Sequence, residues 1–416
     1  MNNDSPFGPF RWLILAIATV GLIISNGLAI GGIPVFSTPI VKEFVENGAV
    51  QLEHSQSFLA NASIITFLMS GIFSLVGGWL LAKIGIRTSM VVGCALLGSG
   101  FIIHSRAETV SLVYFSRFLM GASLGFVGVT PSVILISRWF GKQKGTALGI
   151  LLTGTSIGGL IMPLVFAKMI EVFQWRASML AASLFVWLLL FPLIAFFVRW
   201  PAFHEEAGAA EHLSGIILRD ALRTPQFWVF SVAAALVFYT IFVTTQQFIL
   251  YLQTPAFGLS LTIASAWQSI LFGLSVTGKS AAGFLSDRFS PNRITLWSTA
   301  LMFLATLVLL FAGAPLAFLV LYGLGYGATF VLLQRLVAEY FGQRDYARIL
   351  GTITMIEIFG GVLGGRITGY LADRSGGDYG SAFNVMIGVT AIAFMCMAAL
   401  NVISTRRKDL LQVNAS

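Results

Sequence analysis

Six ionisable residues lie inside long apolar segments of the sequence. Five are basic and one is acidic: Arg117, Lys168, Lys279, Arg335, Arg366 and Glu357. An ionised group in the middle of an apolar span costs several kcal/mol unless it is paired or faces water. Each is therefore a candidate binding residue. The chemistry available to such a set is electrostatic binding of an anion by a cation and exchange of a proton by a carboxyl group.

Lys279 is the first candidate for anion binding. It lies about eight residues, or roughly 12 Å at 1.5 Å per residue, from the end of its span, which is too deep for the ammonium to reach water easily. The surrounding residues, 278–283, are mostly small and leave room beside a cavity. An ammonium attracts a carboxylate as a point charge. The alternative is a lysine that only holds two helices together.

Glu357 lies at a similar depth in its own span, counted from the same side of the membrane. We therefore predict that it pairs with Lys279 when no substrate is bound, and that an anion or a proton breaks this pair. The alternatives are pairing with Arg335 or with a backbone group. Arg117 is a second candidate for the proton pathway, and its alternative role is to fix its own helix to the neighbouring helices.

The composition places these residues in a lipid bilayer. Of the 416 residues, 57% are hydrophobic and 10% are charged, and the mean hydropathy is +0.87. A soluble domain carries about 25% charged residues, so an ordinary water-soluble enzyme is excluded. The apolar segments are long and do not alternate with polar residues, which indicates helices and excludes a porin-like barrel. The predicted fold class is an all-α membrane protein.

Apolar segments between clusters of charge predict twelve transmembrane helices in two six-helix halves. The predicted spans are 13–36, 56–81, 88–103, 110–137, 145–170, 177–199, 225–252, 262–286, 294–313, 316–338, 349–371 and 381–404. The longest polar stretch separates the sixth span from the seventh. We expect an N-terminal bundle at 1–199, a cytoplasmic linker at 200–224 and a C-terminal bundle at 225–416.

The positions of Lys and Arg predict that both termini are cytoplasmic. Every loop on the side of the N-terminus is rich in basic residues, whereas the opposite side has four: Lys42, Arg106, Arg176 and Arg374. Membrane topology thus explains most of the net charge of +8, and no nucleic-acid partner is expected. The expected location is the plasma (inner) membrane. Lys168 and Arg366 are near span ends, where they are expected to reach the interface or to attract anions.

Neither a metal nor a cofactor is expected. Cys94 and Cys396 lie in separate apolar runs and are predicted to be free thiols. The four histidines all fall in predicted loops without the spacing of metal ligands: His54, His104, His204 and His212. The sequence contains no ATP-binding motif, so transport would have to use a gradient. We expect no enzymatic activity.

A short loop motif occurs at the same position in both halves. Its residues are Gly78, Lys83 and Arg87 after the second span, and Gly283, Asp287 and Arg288 after the eighth. Glycine permits close approach of helices, and basic side chains cap helix ends and contact the inner leaflet. The duplicated motif resembles the loop signature of the major facilitator superfamily, which implies alternating access by two halves. The first copy has Ala82 where most members carry an aspartate.

Two further segments narrow the resemblance. Residues 138–149 and the glycines that follow are similar to monocarboxylate transporters and to their bacterial oxalate-transporter relatives, and residues 222–228 are similar to the bacterial branch. This resemblance implies a small organic anion as substrate and places Lys279 at the position of the cation that binds it. Ser275 and Ile353 stand where members carry an aspartate and a second cation. A monoanion is therefore favoured over a dianion such as oxalate.

Additional side chains are predicted to line the same pocket, with helix packing as the alternative role of each. They are Asn26, Leu28, Tyr239, Phe242, Gln246, Gln247 and Tyr326. The polar members would donate hydrogen bonds to the substrate, and the apolar members would contact a short aliphatic tail.

Together these features predict a monomeric secondary transporter that carries a small monocarboxylate of the lactate or pyruvate type with a proton. One alternative is an anion exchanger for dicarboxylates or for substrates of the formate and oxalate type. A second is a drug/proton antiporter that uses Glu357 as its cation site. A third is a membrane receptor, for which the sequence offers no sizeable soluble signalling module.

Overall fold

The structure, a computed structural model, describes residues 9–51, 55–141, 143–200, 215–255, 257–375 and 379–413. Within these ranges the chain is helical apart from turns and one isolated β-bridge between Gly215 and Gly342. His54, His204, His212 and most of the predicted linker lie outside the described residues.

The first part of the chain forms eight α-helices. They are α1 (Phe10–Asn26), α2 (Ser37–Glu46), α3 (Ser55–Ile84), α4 (Ile86–Ser105), α5 (Val110–Val127), α6 (Val129–Trp139), α7 (Lys144–Phe185) and α8 (Phe191–Phe197). A π-helical turn (Gly27–Gly32) and a 3-10 turn (Ile33–Phe36) continue α1, and a second π-helical turn (Val186–Leu190) joins α7 to α8.

The second part forms seven more helices. They are α9 (Leu218–Ala221), α10 (Pro225–Gln253), α11 (Leu261–Arg288), α12 (Pro291–Ala312), α13 (Pro315–Phe341), α14 (Tyr346–Arg374) and α15 (Gly380–Val413). Local sequence explains several of their first residues. Thr224 caps α10 and Ser260 caps α11 by accepting hydrogen bonds from backbone N–H groups in the first turn. Proline occupies the first turn of α10, α12 and α13, where its missing N–H costs nothing.

Ten helical segments of the described chain are long and apolar enough to cross a membrane. One of these, residues 144–197, is 54 residues long, and the positive φ of Gln174 (63°) divides it into two spans. Helix α11, which carries Lys279, is 28 residues long and is not among these ten. With the division at Gln174 and with α11, the predicted twelve spans are confirmed.

The helices differ from the sequence prediction in three places. Helices α2 and α9 form in stretches that were expected to be loops. The prediction that His104 lies in a loop is wrong, because α4 continues beyond its predicted end at residue 103 and includes His104 in its last turn. His104 is completely buried.

Large apolar side chains are exposed on the spans. They include Leu164, Leu188, Phe196, Trp297 and Phe311, each more than half exposed. In water such surfaces would be unfavourable, whereas in a bilayer they contact acyl chains. The exposed faces therefore agree with an integral membrane protein.

The chain forms two compact units. The first unit consists of Met1–Ser214 and Arg344–Met355, and the second consists of Gly215–Gln343 and Ile356–Ser416. In each unit two helices cross with their backbones in contact at glycines. A Cβ added to Gly125 of α5 would overlap the Phe73 carbonyl of α3, and one added to Gly327 of α13 would overlap the Ser275 carbonyl of α11. These crossings position the helices that carry the buried cations.

We expect Gly125→Ala to destabilise the first unit by about 1–3 kcal/mol, because the added methyl group overlaps backbone atoms that cannot move aside. Thermal unfolding of the purified protein, followed by tryptophan fluorescence, measures the effect. Gly141→Ala is the matched control, since nothing lies within 4 Å of a Cβ added there. Equal melting temperatures for the two variants would contradict the proposed close crossing.

Candidate functional site

Lys279 of α11 is completely buried in the second unit. Its Nζ lies 4.6 Å from the ring centroid of Phe330 and 5.5 Å from that of Tyr326. Both rings belong to α13. An aromatic face attracts an ammonium by up to about 2 kcal/mol when both are desolvated, and it does so without neutralising the charge. These two ring contacts stabilise the ammonium and do not by themselves cancel its charge.

Three aromatic residues form a cluster that we call the aromatic cluster: Tyr326 and Phe330, which contact the ammonium, and Phe238, which contacts Phe330. The rings of Phe238 and Phe330 stack with centroids 5.7 Å apart, and Tyr326 meets Phe330 edge-on at 6.2 Å. Tyr326 was predicted at this site, whereas Phe330 was missed. Since Phe330 follows Tyr326 by four residues, it shares the same face of α13, and this spacing is the signal that would have identified it.

Glu357 of α14 is buried, with 1% of its surface exposed. The Gln334 side chain hydrogen-bonds its carboxyl group. The Oε2 atom of Glu357 has no hydrogen-bond partner among the described residues. Among the described ion pairs there is none between Glu357 and Lys279, although one was predicted. Gln334 is the hydrogen-bonding partner of Glu357 instead. Depth along a span could be read from the sequence, but the direction in which each side chain points could not.

A single face of α13 connects the two ionisable groups. Tyr326, Phe330 and Gln334 follow one another at intervals of four residues, so they lie along one side of the helix. Lys279 contacts the first two and Glu357 contacts the third. Phe330 and Gln334 are about 6 Å apart along the helix axis. In the second unit a buried cation of α11 and a buried carboxyl of α14 thus contact neighbouring positions of α13.

The other predicted pocket residues of the second unit lie on α10. Tyr239 is buried against Gly364, and Phe242 packs on Gly361 and Gly365 of α14. The Gln247 amide donates a hydrogen bond to the Gly365 carbonyl at 3.1 Å. Gln246 is exposed. The structure therefore places Tyr239, Phe242 and Gln247 in the contact between α10 and α14.

Asn26 and Leu28 belong to the first unit. The Asn26 amide lies 3.5 Å from the Ser25 hydroxyl, and Leu28 is buried in the π-helical turn that follows α1. Such turns are rare and are frequently found at functional sites. The π-helical turn changes the direction of the side chains that follow Asn26.

Arg117 of α5 is buried in the first unit, with 3% of its surface exposed. Its Nε and Nη1 atoms have no hydrogen-bond partner among the described residues, and neither does the Nε2 atom of His104. The Nδ1 atom of His104 lies 2.6 Å from the hydroxyl of Ser116. Ser116 directly precedes Arg117, so this contact places the His104 ring against the helix that carries Arg117. The sequence prediction missed His104 because it placed this residue in a loop.

The remaining basic residues within spans lie nearer the surface. Lys168 is exposed and pairs with Glu171 at 2.8 Å, and Arg366 is exposed. Arg335 pairs with Asp287 at 2.5 Å, so it is not the partner of Glu357. Among the five basic residues predicted within spans, Lys279 and Arg117 are therefore the buried ones.

The first loop motif joins helices of the first unit. The Nζ of Lys83 lies 3.9 Å from the ring centroid of Trp79, and the Arg87 Nε donates a hydrogen bond to the Val198 carbonyl at 2.8 Å. A Cβ added to Gly78 would overlap the carbonyl of Ala347, which belongs to the same unit. Arg87 thus fixes the start of α4 to the end of α8.

The second loop motif is held in a different way. Asp287 accepts the ion pair from Arg335 of α13, while the guanidinium of Arg288 lies 4.1 Å from the Phe284 ring centroid. The buried carbonyl of Gly283 accepts a hydrogen bond from the Ser286 hydroxyl at 2.9 Å. Asp287, the acidic residue of the second loop motif, therefore connects the end of α11 to α13 through its ion pair with Arg335.

We expect Asp287→Asn to lower the free energy of unfolding by about 1–3 kcal/mol, because it leaves the Arg335 guanidinium without its carboxylate. A double-mutant cycle with Arg335→Gln, measured by thermal unfolding, isolates the interaction. The double variant should lose less than the sum of the two single variants. Strict additivity would show that the two side chains do not stabilise each other.

The Major Facilitator Superfamily matches the chain over residues 15–364 and again over residues 254–411. A monocarboxylate transporter 13 from Bos taurus is 25% identical over 396 residues, which cover 92% of this chain and 87% of the relative. An oxalate:formate antiporter from Oxalobacter formigenes is 26% identical over 339 residues, covering 76% of each chain.

A solved structure shows the same fold. The crystal structure of the transporter FucP in the outward conformation superposes with a TM-score of 0.72 at 14% identity, covering 94% of this chain and 98% of the other. At this identity the likeness concerns the arrangement of helices alone.

Proposed function

The chain belongs to the major facilitator superfamily and is a membrane transporter, and from that premise we propose that it carries a small organic monoanion of the lactate or pyruvate type together with a proton. Transport would proceed by alternating access. We further propose that it works as a monomer in the plasma (inner) membrane with both termini in the cytoplasm, as the distribution of basic residues indicates.

The observation that carries this proposal is the buried ammonium of Lys279 among aromatic rings. The ammonium would bind the carboxylate of the cargo, and the ring faces of the aromatic cluster would contact a short aliphatic tail. Tyr239, Phe242, Gln246, Asn26 and Leu28 remain proposed contacts of the cargo. The names of the two relatives, a monocarboxylate transporter and an oxalate:formate antiporter, support an anionic cargo.

Glu357 is the proposed proton carrier. Its Oε2 atom has no hydrogen-bond partner among the described residues, so this oxygen is available to a proton while Gln334 holds the carboxyl group. Ionised Glu357 would compete with the cargo for the charge of Lys279, whereas protonated Glu357 would not. Binding of a proton would thus favour binding of the anion. Arg117 is proposed to assist proton movement in the first unit through His104, the titratable neighbour on which its charge acts.

Uptake of labelled lactate into proteoliposomes tests the proposal. We expect accumulation when the outside is more acidic than the inside, and inhibition by pyruvate but not by neutral or cationic compounds. Absence of lactate uptake across the same range of pH gradients would contradict it.

Anion exchange is the second candidate, favoured by the oxalate:formate antiporter among the relatives. The same Lys279 would bind the anion on both sides of the membrane. Exchange predicts uptake only when the vesicles are loaded with an anion, and no effect of an imposed pH gradient.

A further inference from the structure

The first unit contains a buried guanidinium whose charge the fold does not neutralise. Arg117 exposes 3% of its surface, and its Nε and Nη1 atoms have no hydrogen-bond partner among the described residues. Its backbone carbonyl accepts a hydrogen bond from Thr66 of α3 at 3.5 Å, about two turns before the close crossing of α3 and α5 at Gly125. The position of the side chain is therefore fixed by tightly packed helices.

The helices packed against α5 carry no acidic residue. Helices α1, α3, α4 and α6 contact α5. Their ionisable side chains are the basic Arg11, Lys83, Arg87, His104 and Arg138 and the thiol of Cys94. A carboxylate partner for Arg117 is thus missing from every described helix that packs around it.

Two carboxylates lie at this end of α4: Glu108, which is exposed in the loop between α4 and α5, and Glu43, which is already engaged. Glu43 of α2 accepts hydrogen bonds from Arg176 at 2.5 Å and from the Trp175 indole at 2.7 Å. Burial raises the pKa of Glu43, but these hydrogen bonds and the charge of Arg176 outweigh it and lower the pKa of that carboxyl below its usual value. Arg176 also donates to the carbonyls of Ser105 and Ala107, which fixes the end of α4.

His104 contacts α5 at Ser116, the residue before Arg117, and its hydrogen bond there indicates its tautomer. The hydroxyl of Ser116 donates its one hydrogen to the Val113 carbonyl at 2.6 Å, so it accepts from the Nδ1–H of His104. In the neutral ring the proton is then on Nδ1, and Nε2 presents a lone pair. Nε2 becomes a donor only when the ring takes up a second proton.

A buried guanidinium without a counter-charge is costly, and native structures satisfy almost all buried donors. Water would satisfy the N–H groups but not the charge, whereas a small monoanion satisfies both. We infer that Arg117 and His104 form a binding site for a small monoanion such as chloride or formate, and that His104 takes up a proton from solution when the anion binds. This site belongs to the first unit and is separate from the proposed binding of cargo at Lys279 of the second unit.

The charged groups that act on His104 fit this coupling. They are Arg117 of α5 and Arg176 of α7, the latter paired with Glu43 of α2. Three other basic residues on the surrounding helices lie at the helix ends away from His104. They are Lys83 at the end of α3, Arg87 at the start of α4 and Arg138 at the end of α6. A bound anion would offset the repulsion that Arg117 and Arg176 exert on a protonated imidazole.

Anion-dependent thermal stability of the purified full-length protein tests the site. The protein is melted in gluconate buffer with increasing chloride or formate at pH 5.5 and at pH 7.5. A ligand that binds only the folded state raises the melting temperature. We expect a rise of several degrees with either anion, and an apparent affinity about tenfold or more tighter at the lower pH.

Variants separate this site from the proposed cargo site. Arg117→Gln should lose the stabilisation, Arg117→Lys should keep part of it, and His104→Gln should keep a weaker stabilisation that no longer depends on pH. Lys279→Met should retain the full response to chloride while losing stabilisation by lactate. Stabilisation by formate but not chloride would identify the occupant as a carboxylate.

The inference is overturned if neither anion stabilises the wild-type protein. It is also overturned if chloride stabilises both Arg117→Lys and His104→Gln as strongly, and with the same pH dependence, as the wild-type protein. A third contradicting result is loss of stabilisation by chloride in Lys279→Met. These results are independent of lactate uptake, so failure of the proposed transport function would be recognised separately.

Discussion

Lys279→Met is expected to reduce lactate uptake by about 30-fold or more. Removing one partner of a buried charge pair costs about 2–5 kcal/mol, and each 1.4 kcal/mol is a factor of ten in affinity. The methionine side chain fills a similar volume among Tyr326 and Phe330, so the loss should reflect charge and not packing. Initial rates of uptake into proteoliposomes over a range of lactate concentrations measure the effect.

Lys168→Met is the matched control for this substitution. Lys168 also lies within a predicted span, but it is exposed and pairs with Glu171. We expect its uptake to remain within about twofold of wild type, because exposed ion pairs contribute little. Lys279→Arg retains the charge with a different shape and should be intermediate. Uptake at the wild-type rate by a correctly folded Lys279→Met protein would remove Lys279 from the binding site.

Glu357→Gln is expected to abolish accumulation of lactate driven by a proton gradient, while exchange of internal for external lactate continues. Glutamine keeps the shape of the protonated carboxyl and its contact with Gln334, but it cannot release a proton. The carrier would therefore bind its anion without coupling to the gradient. Two assays on the same vesicles measure this: accumulation after an acid pulse outside, and counterflow of labelled lactate at equal pH.

Glu171→Gln serves as the control, since Glu171 is exposed and lies beside Lys168. It should leave both accumulation and counterflow unchanged. If Glu357→Gln accumulated lactate in response to the gradient as wild type does, the proton would have to be carried elsewhere. Loss of counterflow as well as accumulation would instead assign Glu357 to binding of the cargo.

The twelve spans could be predicted because each leaves a local signal, a long apolar run bounded by charge. The predicted ends agree with the helices to within a few residues, except that α15 continues well past its predicted end. Helices α2 and α9 were missed because they are short and lie in polar stretches without such a run. His104 was assigned to a loop because it is followed closely by Arg106, although the helix continues through it.

The arrangement of side chains around the buried charges could be predicted only in part. Hydropathy gives the depth of Lys279 and Glu357, but the rotation of each helix depends on the packing of its neighbours. The partner of Glu357 is therefore Gln334, which the sequence prediction did not consider. The spacing of Tyr326, Phe330 and Gln334 was visible in the sequence as one face of α13. What the sequence did not show is that both ionisable groups contact that face.

The most direct test of the proposed function is the simultaneous measurement of lactate and proton entry into proteoliposomes that contain the wild-type protein. Labelled lactate reports the anion, and a trapped pH-sensitive dye reports the proton. If Lys279 binds the anion and Glu357 carries the proton, both should enter in equal numbers, and the rate should not change with membrane potential. Lactate entry without acidification of the vesicle interior, or only in exchange for an internal anion, would contradict the proposal.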